Sequence, residues 1–159
     1  AALFAREYGL ETIGFRFLSV YGPHEKSKGI YANLASQFLW SMQKGEQPVV
    51  YGDGTQTREF TFVLDIVQAH ILAMKSSKKL AGEIFNVGTS KDHSLNELVK
   101  TIGSILGKDT KPKYVTNTVK NYINTQLSDI SKISNTLGYN PKYTLDSGLR
   151  EIISWQKAQ

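Results

Sequence analysis

Residues 51–66 read Tyr51-Gly52-Asp53-Gly54-Thr55-Gln56-Thr57-Arg58-Glu59-Phe60-Thr61-Phe62-Val63-Leu64-Asp65-Ile66. We interpret the Gly-Asp-Gly stretch as a hairpin turn after a strand, followed by one arginine, an aromatic β-rich run and the apolar spacing of a helix. This order places Arg58 at the edge of a layered α/β core. A guanidinium held there can donate two parallel hydrogen bonds to a phosphate, so the segment predicts a phosphate-bearing ligand at Arg58.

Helical and extended patterns alternate along the rest of the chain. Apolar spacing, capping residues and terminal glycines predict helices at 1–8, 30–44, 63–75, 94–107, 129–137 and 144–155. Runs of β-branched and aromatic residues predict strands at 12–18, 48–51, 83–87 and 113–116, with polar loops at 19–29 and 117–126. The alternation predicts an α/β fold in which helices join parallel strands.

Length and composition fit one compact unit. The chain has 159 residues, of which 40% are hydrophobic, so we treat 1–159 as a single domain. No apolar run is long enough to span a bilayer, and the absence of cysteine fits a reducing cytoplasm. The net charge of +5 comes from scattered residues, and the densest cluster, 75–79, lies at a predicted helix end whose dipole it complements. We therefore expect neither nucleic acid nor a membrane as a partner.

A second segment, Arg16-Phe17-Leu18-Ser19-Val20-Tyr21-Gly22-Pro23, covers the end of the first predicted strand and the loop after it. Together with residues 51–66 it closely resembles the C-terminal half of the extended short-chain dehydrogenase/reductase family, the nucleotide-sugar epimerases and dehydratases. The resemblance covers nearly the whole chain. It implies the C-terminal part of a doubly wound, NAD(P)-binding Rossmann-like fold with the smaller substrate-binding lobe.

The resemblance implies an NAD-dependent epimerase of a nucleotide sugar, with a UDP-sugar as substrate, transient hydride transfer to NAD, and a homodimer at full length. A nucleotide-sugar 4,6-dehydratase and a non-catalytic nucleotide-sugar-binding fragment remain as alternatives. The family's catalytic base is a tyrosine with a lysine four residues on, and Tyr8, Tyr21 and Tyr51 lack that lysine. In relatives the pair precedes the counterpart of Ala1. We therefore expect a substrate half without catalytic residues, inactive by itself.

By the same resemblance, the residues after the first strand face the cofactor and the sugar. Val20 is expected against the nicotinamide ring, and Ser19 stands beside the cofactor where the family has an asparagine that contacts the sugar. Asn33 and the backbone amide of Leu34 are expected at the diphosphate, where the free amides of a helix start favour an anion. Two plainer interpretations stay open: Gly22-Pro23 as a turn after a strand, and Asn33 as a polar residue of a first helical turn.

The resemblance also implies the remaining contacts of the nucleotide. Val50 and Tyr51 are expected at the edge on which the base rests, and Arg58 at the diphosphate. Lys120 is the nearest match to a basic residue that in the family precedes an Asp-x-Ser-Lys motif and reaches the diphosphate. A solvated loop lysine is the open alternative at that position.

Other chemistry is not expected. Asp65 is predicted to cap the helix from Ile66 and not to act as a base. His24, His70 and His93 lie far apart in the sequence without a helical pairing, so no metal site is predicted.

The strand at 12–18 is predicted to lie in the centre of a parallel sheet. Its neighbours are then expected upstream of Ala1, and without them the strand would expose apolar side chains and unpaired backbone groups.

Overall fold

The computed structural model describes residues 2–158. Their helices are α1 (Ala2–Tyr8), α2 (Leu34–Gln43), α3 (Val63–Lys75), α4 (Leu95–Leu106), α5 (Ser131–Leu137) and α6 (Leu145–Lys157). Their strands are β1 (Ile13–Phe17), β2 (Val20–Tyr21), β3 (Val49–Tyr51), β4 (Thr57–Arg58), β5 (Thr61–Phe62), β6 (Glu83–Val87), β7 (His93–Ser94) and β8 (Lys113–Val115). The predicted α/β fold is confirmed.

Most strand pairing is parallel. β1 pairs with β6 from Ile13 opposite Glu83 to Phe17 opposite Val87. β2 pairs with β5 and β3 with β8, both parallel, whereas β4 and β7 are antiparallel. Parallel partners need a long crossover, and at least one helix separates each such pair in the sequence.

The turn at 52–54 does not close a hairpin, so that prediction is wrong. β3 pairs with β8 and β4 with β7, which means that the two strands flanking the turn are not partners. Gly52 and Gly54 have φ of 85° and 80°, and the Thr55 N–H donates to Oδ1 of Asp53 at 3.0 Å. Left-handed glycines around this Asx turn redirect the chain away from β3.

Two apolar clusters form the interior. The larger cluster lies between α2, α4, α6 and the nearby strands. Its fully buried members include Leu39, Met42, Leu98, Ile102 and Leu149. The smaller cluster joins α3, α5 and β6 around Phe85 and Ile133. Because the apolar residues of each helix recur at helical spacing, one face of each helix can reach its cluster.

Predicted capping residues define the ends of several helices. Ser94 Oγ accepts the Glu97 N–H at 3.1 Å, and Oε2 of Glu97 accepts the Ser94 N–H at 2.7 Å, which confirms the capping box of α4. Thr144 caps α6 in the same manner with Ser147. Gly138 ends α5 with a left-handed φ of 71°, as predicted.

Asp65 is not a helix cap, which corrects the sequence-based prediction. α3 already begins at Val63, so Asp65 lies inside its first turn and is buried. Its carboxylate accepts the N–H groups of Lys142 at 2.8 Å and Tyr143 at 3.2 Å. Burial raises the pKa of Asp65 above its ordinary value, and the two hydrogen bonds oppose that rise. The residue thus fastens α3 to the segment before α6.

Two other helix starts also differ from the prediction. A 3₁₀-helix at Glu25–Tyr31 is interrupted at Gly29, whose φ of 54° cannot continue a helix, and α2 begins only at Leu34. The N-cap residue of α5 is Ile130 and not Asp129, so the helix begins at Ser131. Asp129 nevertheless accepts the Ser131 N–H at 2.8 Å.

The edge of β1 that faces away from β6 has no strand partner within residues 2–158. Phe17, at the end of β1, is 47% exposed. No helix of the described chain has the length and hydropathy needed to cross a bilayer.

Candidate functional site

Arg58 ends β4 with its guanidinium held on two sides. Nη1 donates to the Thr57 carbonyl at 2.6 Å, and the guanidinium carbon lies 5.1 Å from the centre of the Tyr122 ring. No carboxylate within residues 2–158 forms an ion pair with Arg58. A guanidinium carries five N–H donors in one plane, so the bond to Thr57 and the stacking leave donors free for an anion.

A cleft of about 640 Å³ adjoins the Tyr122 ring. Its walls include a second tyrosine, Tyr51 at the end of β3, and the amide side chains of Gln56 and Asn124. The Gln56 amide donates to the Tyr51 carbonyl at 2.5 Å, which fixes its orientation. Aromatic walls with amide groups nearby suit a planar, polar ring.

The rim of this cleft carries a negative charge. Asp53 lines the cleft, and hydrogen bonds from the Thr55 backbone and hydroxyl hold the pKa of Asp53 below its ordinary value. The carboxylate therefore stays ionised at neutral pH. A phosphate is disfavoured beside Asp53 and favoured beside Arg58.

Glu59 is fully buried, in contrast to the half-buried Arg58 before it. Its carboxylate accepts hydrogen bonds from the N–H groups of Thr89, Ser90 and Ser128 and from the Ser128 hydroxyl. Four donors compensate the burial of one charge without a cation. Glu59 thus joins the link between β4 and β5 to the loops after β6 and before α5.

Neither Glu59 nor Tyr122 was selected from the sequence. The only signal for Tyr122 was a single aromatic ring in a polar loop, two residues after Lys120. Glu59 gave no signal, because a carboxylate beside an arginine is usually a surface residue.

Ser19 and Val20 lie directly after the carboxyl end of β1. Ser19 has a left-handed φ of 40°, and its hydroxyl donates to Oε1 of Gln126 at 2.5 Å. Val20 opens β2 and is half-buried. Both predicted residues are therefore at the end of the parallel strands, where open α/β sheets bind ligands.

Asn33 links β2 to α2. Its amide nitrogen donates to the Val20 carbonyl at 3.2 Å, and its Oδ1 accepts the Ala35 N–H at 2.9 Å as the N-cap of α2. These contacts hold the Asn33 side chain at the N-cap of α2, and its predicted contact with a diphosphate stays a prediction. The backbone amide of Leu34, in the first turn, stays as the predicted anion contact.

The other predicted residues differ in their accessibility. Val50 is fully buried in the larger cluster, so its side chain is not available to a ligand, whereas Tyr51 is 52% exposed and lines the cleft. Lys120 is exposed on the same loop as Tyr122 and has no hydrogen bond or ion pair through its ammonium group within the described chain. Tyr122 thus contacts Arg58 and lines one cleft together with Tyr51.

Gly22 lies beside α3, and the chain turns at Pro23 and His24 directly after it. A Cβ on Gly22 would lie 2.6 Å from Cγ1 of Val63, so only glycine fits there. The following loop is held by the buried Glu25, whose Oε1 accepts the Asn33 N–H at 3.2 Å. This geometry supports the interpretation of Gly22-Pro23 as a turn.

Parallel strands joined by helices, with polar residues after the carboxyl end of β1, define a Rossmann-like α/β protein. Residues 1–88 match the model of the NAD dependent epimerase/dehydratase family. Because the match covers more than half of the 159 residues, the chain belongs to this family.

Known proteins agree with this assignment. A putative UDP-glucose 4-epimerase of Methanocaldococcus jannaschii is 34% identical over 155 residues, which are 98% of this chain and 48% of the relative. The crystal structure of a UDP-glucose 4-epimerase of Thermotoga maritima with UDP-glucose superposes with a TM-score of 0.87 at 33% identity, covering 98% of this chain and 49% of that one.

A third similar protein is a UDP-glucuronic acid 4-epimerase variant of Bacillus cereus, whose crystal structure contains a fluorinated UDP-sugar and NAD. The two proteins are 25% identical and superpose with a TM-score of 0.85. The aligned region covers 98% of this chain and 48% of the Bacillus cereus chain. The chain thus spans about half the length of the relatives that it matches.

Proposed function

We propose that this chain is the substrate-binding part of an NAD-dependent epimerase that acts on a UDP-sugar. The observation that carries the proposal is the position of Arg58 beside the cleft lined by Tyr51. A guanidinium with free in-plane donors suits the diphosphate, and an aromatic cleft suits the base, so the two features match both ends of a nucleoside diphosphate. The UDP-glucose in the Thermotoga maritima relative supports this substrate class.

The residues after β1 fit one end of a bound NAD. Val20 is half-buried and apolar, and it follows the carboxyl end of a strand in a parallel pair, the usual side for a dinucleotide. In this proposal Val20 contacts the nicotinamide ring and Ser19 lies at its edge. When bound, NAD supplies a reversible hydride acceptor. With NAD bound, Val20 would contact the ring and exclude water, while Ser19 would keep a lone pair to accept a hydrogen bond from the sugar.

A nucleotide-sugar 4,6-dehydratase is the second candidate, because the matching family includes dehydratases. Both candidates bind the nucleoside diphosphate through the same residues. Product analysis after incubation of the full-length protein with UDP-glucose and NAD separates them: UDP-galactose indicates epimerisation, and a 4-keto-6-deoxy sugar indicates dehydration.

The binding proposal is tested with Arg58 variants of the full-length protein and UDP as the ligand. We expect Arg58→Ala to raise the Kd of UDP about tenfold to a hundredfold, since a charge-assisted hydrogen bond contributes about 1.5–3 kcal/mol. Arg58→Lys should recover only part of the affinity, because an ammonium cannot donate two parallel bonds. Isothermal titration calorimetry measures both variants.

The matched control is Arg150→Ala, which removes an exposed arginine on α6 that pairs with Asp146. It should leave the Kd unchanged. An unchanged affinity in Arg58→Ala, with a thermal unfolding midpoint equal to that of the parent, would show that Arg58 does not bind the diphosphate.

A further inference from the structure

Tyr122 contacts the arginine and lines the cleft at the same time. Its ring lies under the guanidinium of Arg58, at 5.1 Å, and it shares the lining of the 640 Å³ cleft with Tyr51. No other side chain of the described chain combines these two contacts. The position of the ring therefore decides both how Arg58 points and how wide the cleft is.

The chain after Tyr122 is hydrogen-bonded to the segments that carry Ser19 and Arg58. The Thr57 N–H, next to Arg58, donates to the Asn124 carbonyl at 2.7 Å. Further along, Gln126 accepts from the Ser19 hydroxyl, and Ser128 donates to the buried Glu59. These bonds hold the loop against the strand that carries the arginine, so the stacking of Tyr122 on Arg58 is built into the fold.

Stacking restricts the guanidinium without using the donors that a phosphate needs. The ring centre lies 5.1 Å from the guanidinium carbon, and the interaction of a cation with a ring face uses none of the N–H donors. One of them already donates to the Thr57 carbonyl. Because Tyr122 and the Thr57 carbonyl both contact the guanidinium, Arg58 is restricted before a ligand arrives, which reduces the entropy lost on binding.

The charges along the cleft give a bound nucleotide a direction. Asp53 lines the cleft together with Tyr51, whereas Arg58 contacts Tyr122 from outside the set of lining residues. A diphosphate is attracted to Arg58 and repelled by Asp53, while an uncharged ring with N–H donors is tolerated beside a carboxylate. The base therefore belongs between the two tyrosines, and the phosphates extend past Tyr122.

We propose that Tyr122 binds the nucleotide in two ways: it positions Arg58 for the diphosphate, and it forms the second aromatic wall of the base cleft with Tyr51. The inference rests on the proposed function and adds to it a residue on the loop before α5. The ligand class is a nucleoside diphosphate, held by stacking at the base and by a stacked guanidinium at the phosphates.

The test compares UDP with pyrophosphate, which has the phosphates but no base, in the full-length protein. We expect Tyr122→Leu to raise the Kd of UDP about tenfold or more, as loss of aromatic stacking does, and the Kd of pyrophosphate about threefold, as loss of one cation–π contact does. Tyr122→Phe keeps the ring and should stay within about twofold of the parent for both ligands. Tyr51→Leu should weaken UDP and leave pyrophosphate unchanged.

Ile123→Ala is the control, since Ile123 is 61% exposed on the same loop and does not line the cleft. Its affinities and thermal midpoint should match the parent. An unchanged affinity for UDP in Tyr122→Leu, or equal losses of UDP and pyrophosphate, overturns the inference even if Arg58→Ala weakens UDP. Failure of the parent protein to bind UDP overturns the proposed function and the inference with it.

Discussion

Arg58 and Glu59 are adjacent in the sequence and have opposite surroundings. Successive side chains of an extended segment point to opposite sides, so when Glu59 faces the interior Arg58 faces away from it, toward Tyr122. The buried carboxylate is held by backbone N–H groups of Thr89, Ser90 and Ser128. Through this anchoring, Glu59 determines where its neighbour Arg58 lies.

Glu59→Gln tests that anchoring. In the variant, the NH₂ group of glutamine replaces one carboxylate oxygen. At least one backbone N–H that donates to Glu59 in the parent then faces another donor. We expect the free energy of unfolding to fall by about 1.5–3 kcal/mol, the usual contribution of a hydrogen bond to a charged group. Urea denaturation followed by circular dichroism gives this value.

For comparison, Glu151→Gln changes an exposed glutamate on α6 and should alter the stability little. If Glu59→Gln is as stable as the parent, the four hydrogen bonds of the carboxylate do not contribute to folding. The proposal that Glu59 positions Arg58 is then contradicted as well.

At the scale of secondary-structure elements, the ends of the helices depend on local hydrogen bonds. α4 starts at a complete capping box, and its apolar face is buried in the larger cluster. α2 starts where Asn33 can cap it, since Gly29 interrupts the preceding 3₁₀-helix. Each start is fixed by one short-range contact, and such contacts are accessible to single substitutions.

Ser94→Ala removes the side-chain half of the capping box of α4. We expect a loss of about 1 kcal/mol in the free energy of unfolding, typical for a lost N-cap. Ser104→Ala, at an exposed position inside the same helix, is the matched control and should be neutral or slightly stabilising. Equal stabilities of the two variants in urea would contradict the prediction.

The other half of the box predicts a pH dependence. Hydrogen bonds from the Ser94 backbone and hydroxyl hold the pKa of Glu97 below its ordinary value of about 4.3. A carboxylate whose pKa is lowered by folding stabilises the fold at pH values above its ordinary pKa. This contribution disappears as the pH falls through the pKa of the folded state. Glu97→Gln should therefore be less stable than the parent at pH 7, and the difference should shrink below pH of about 4. A difference that is independent of pH would exclude an ionic contribution.

At the scale of the whole molecule, the unpaired edge of β1 is the feature with the largest consequence. Within residues 2–158, β1 pairs with β6 and with no other strand, and Phe17 at its end is 47% exposed. Apolar side chains of α1 are exposed as well, with Leu3 at 56% and Phe4 at 53%. An unpaired strand edge with apolar residues nearby is a template for association.

We expect the isolated 159-residue chain to self-associate in solution. Phe17→Lys places a charge at the end of the edge strand and should shift the population toward monomer. Val119→Lys, at a loop residue that is 59% exposed, is the control and should have no such effect. Multi-angle light scattering with intact mass measures both. A stable, monodisperse monomer of 17.8 kDa in the parent chain would contradict the prediction.

The sequence by itself determined the order of the α-helices and of the strands longer than two residues, and most helix ends, but not the two-residue strands β2, β4, β5 and β7. Apolar spacing, the capping box at Ser94 and the terminal glycine at 138 act over three or four residues, so they can be read directly along the chain. Residues 51–66 and 16–23 likewise led to the family that the comparisons confirm, since motif residues adjacent in sequence are fixed by local geometry.

Only the tertiary structure decided which strands pair. The same structure also decided which distant residues contact Arg58 and Glu59. The turn at 52–54 was predicted as a hairpin, but β3 pairs with β8, more than sixty residues downstream by their register of Val49 with Lys113. The anchoring of Glu59 by Ser128 and the stacking of Arg58 on Tyr122 also join distant segments. Such contacts depend on how loops close in three dimensions, and the local sequence pattern carries no information on that closure.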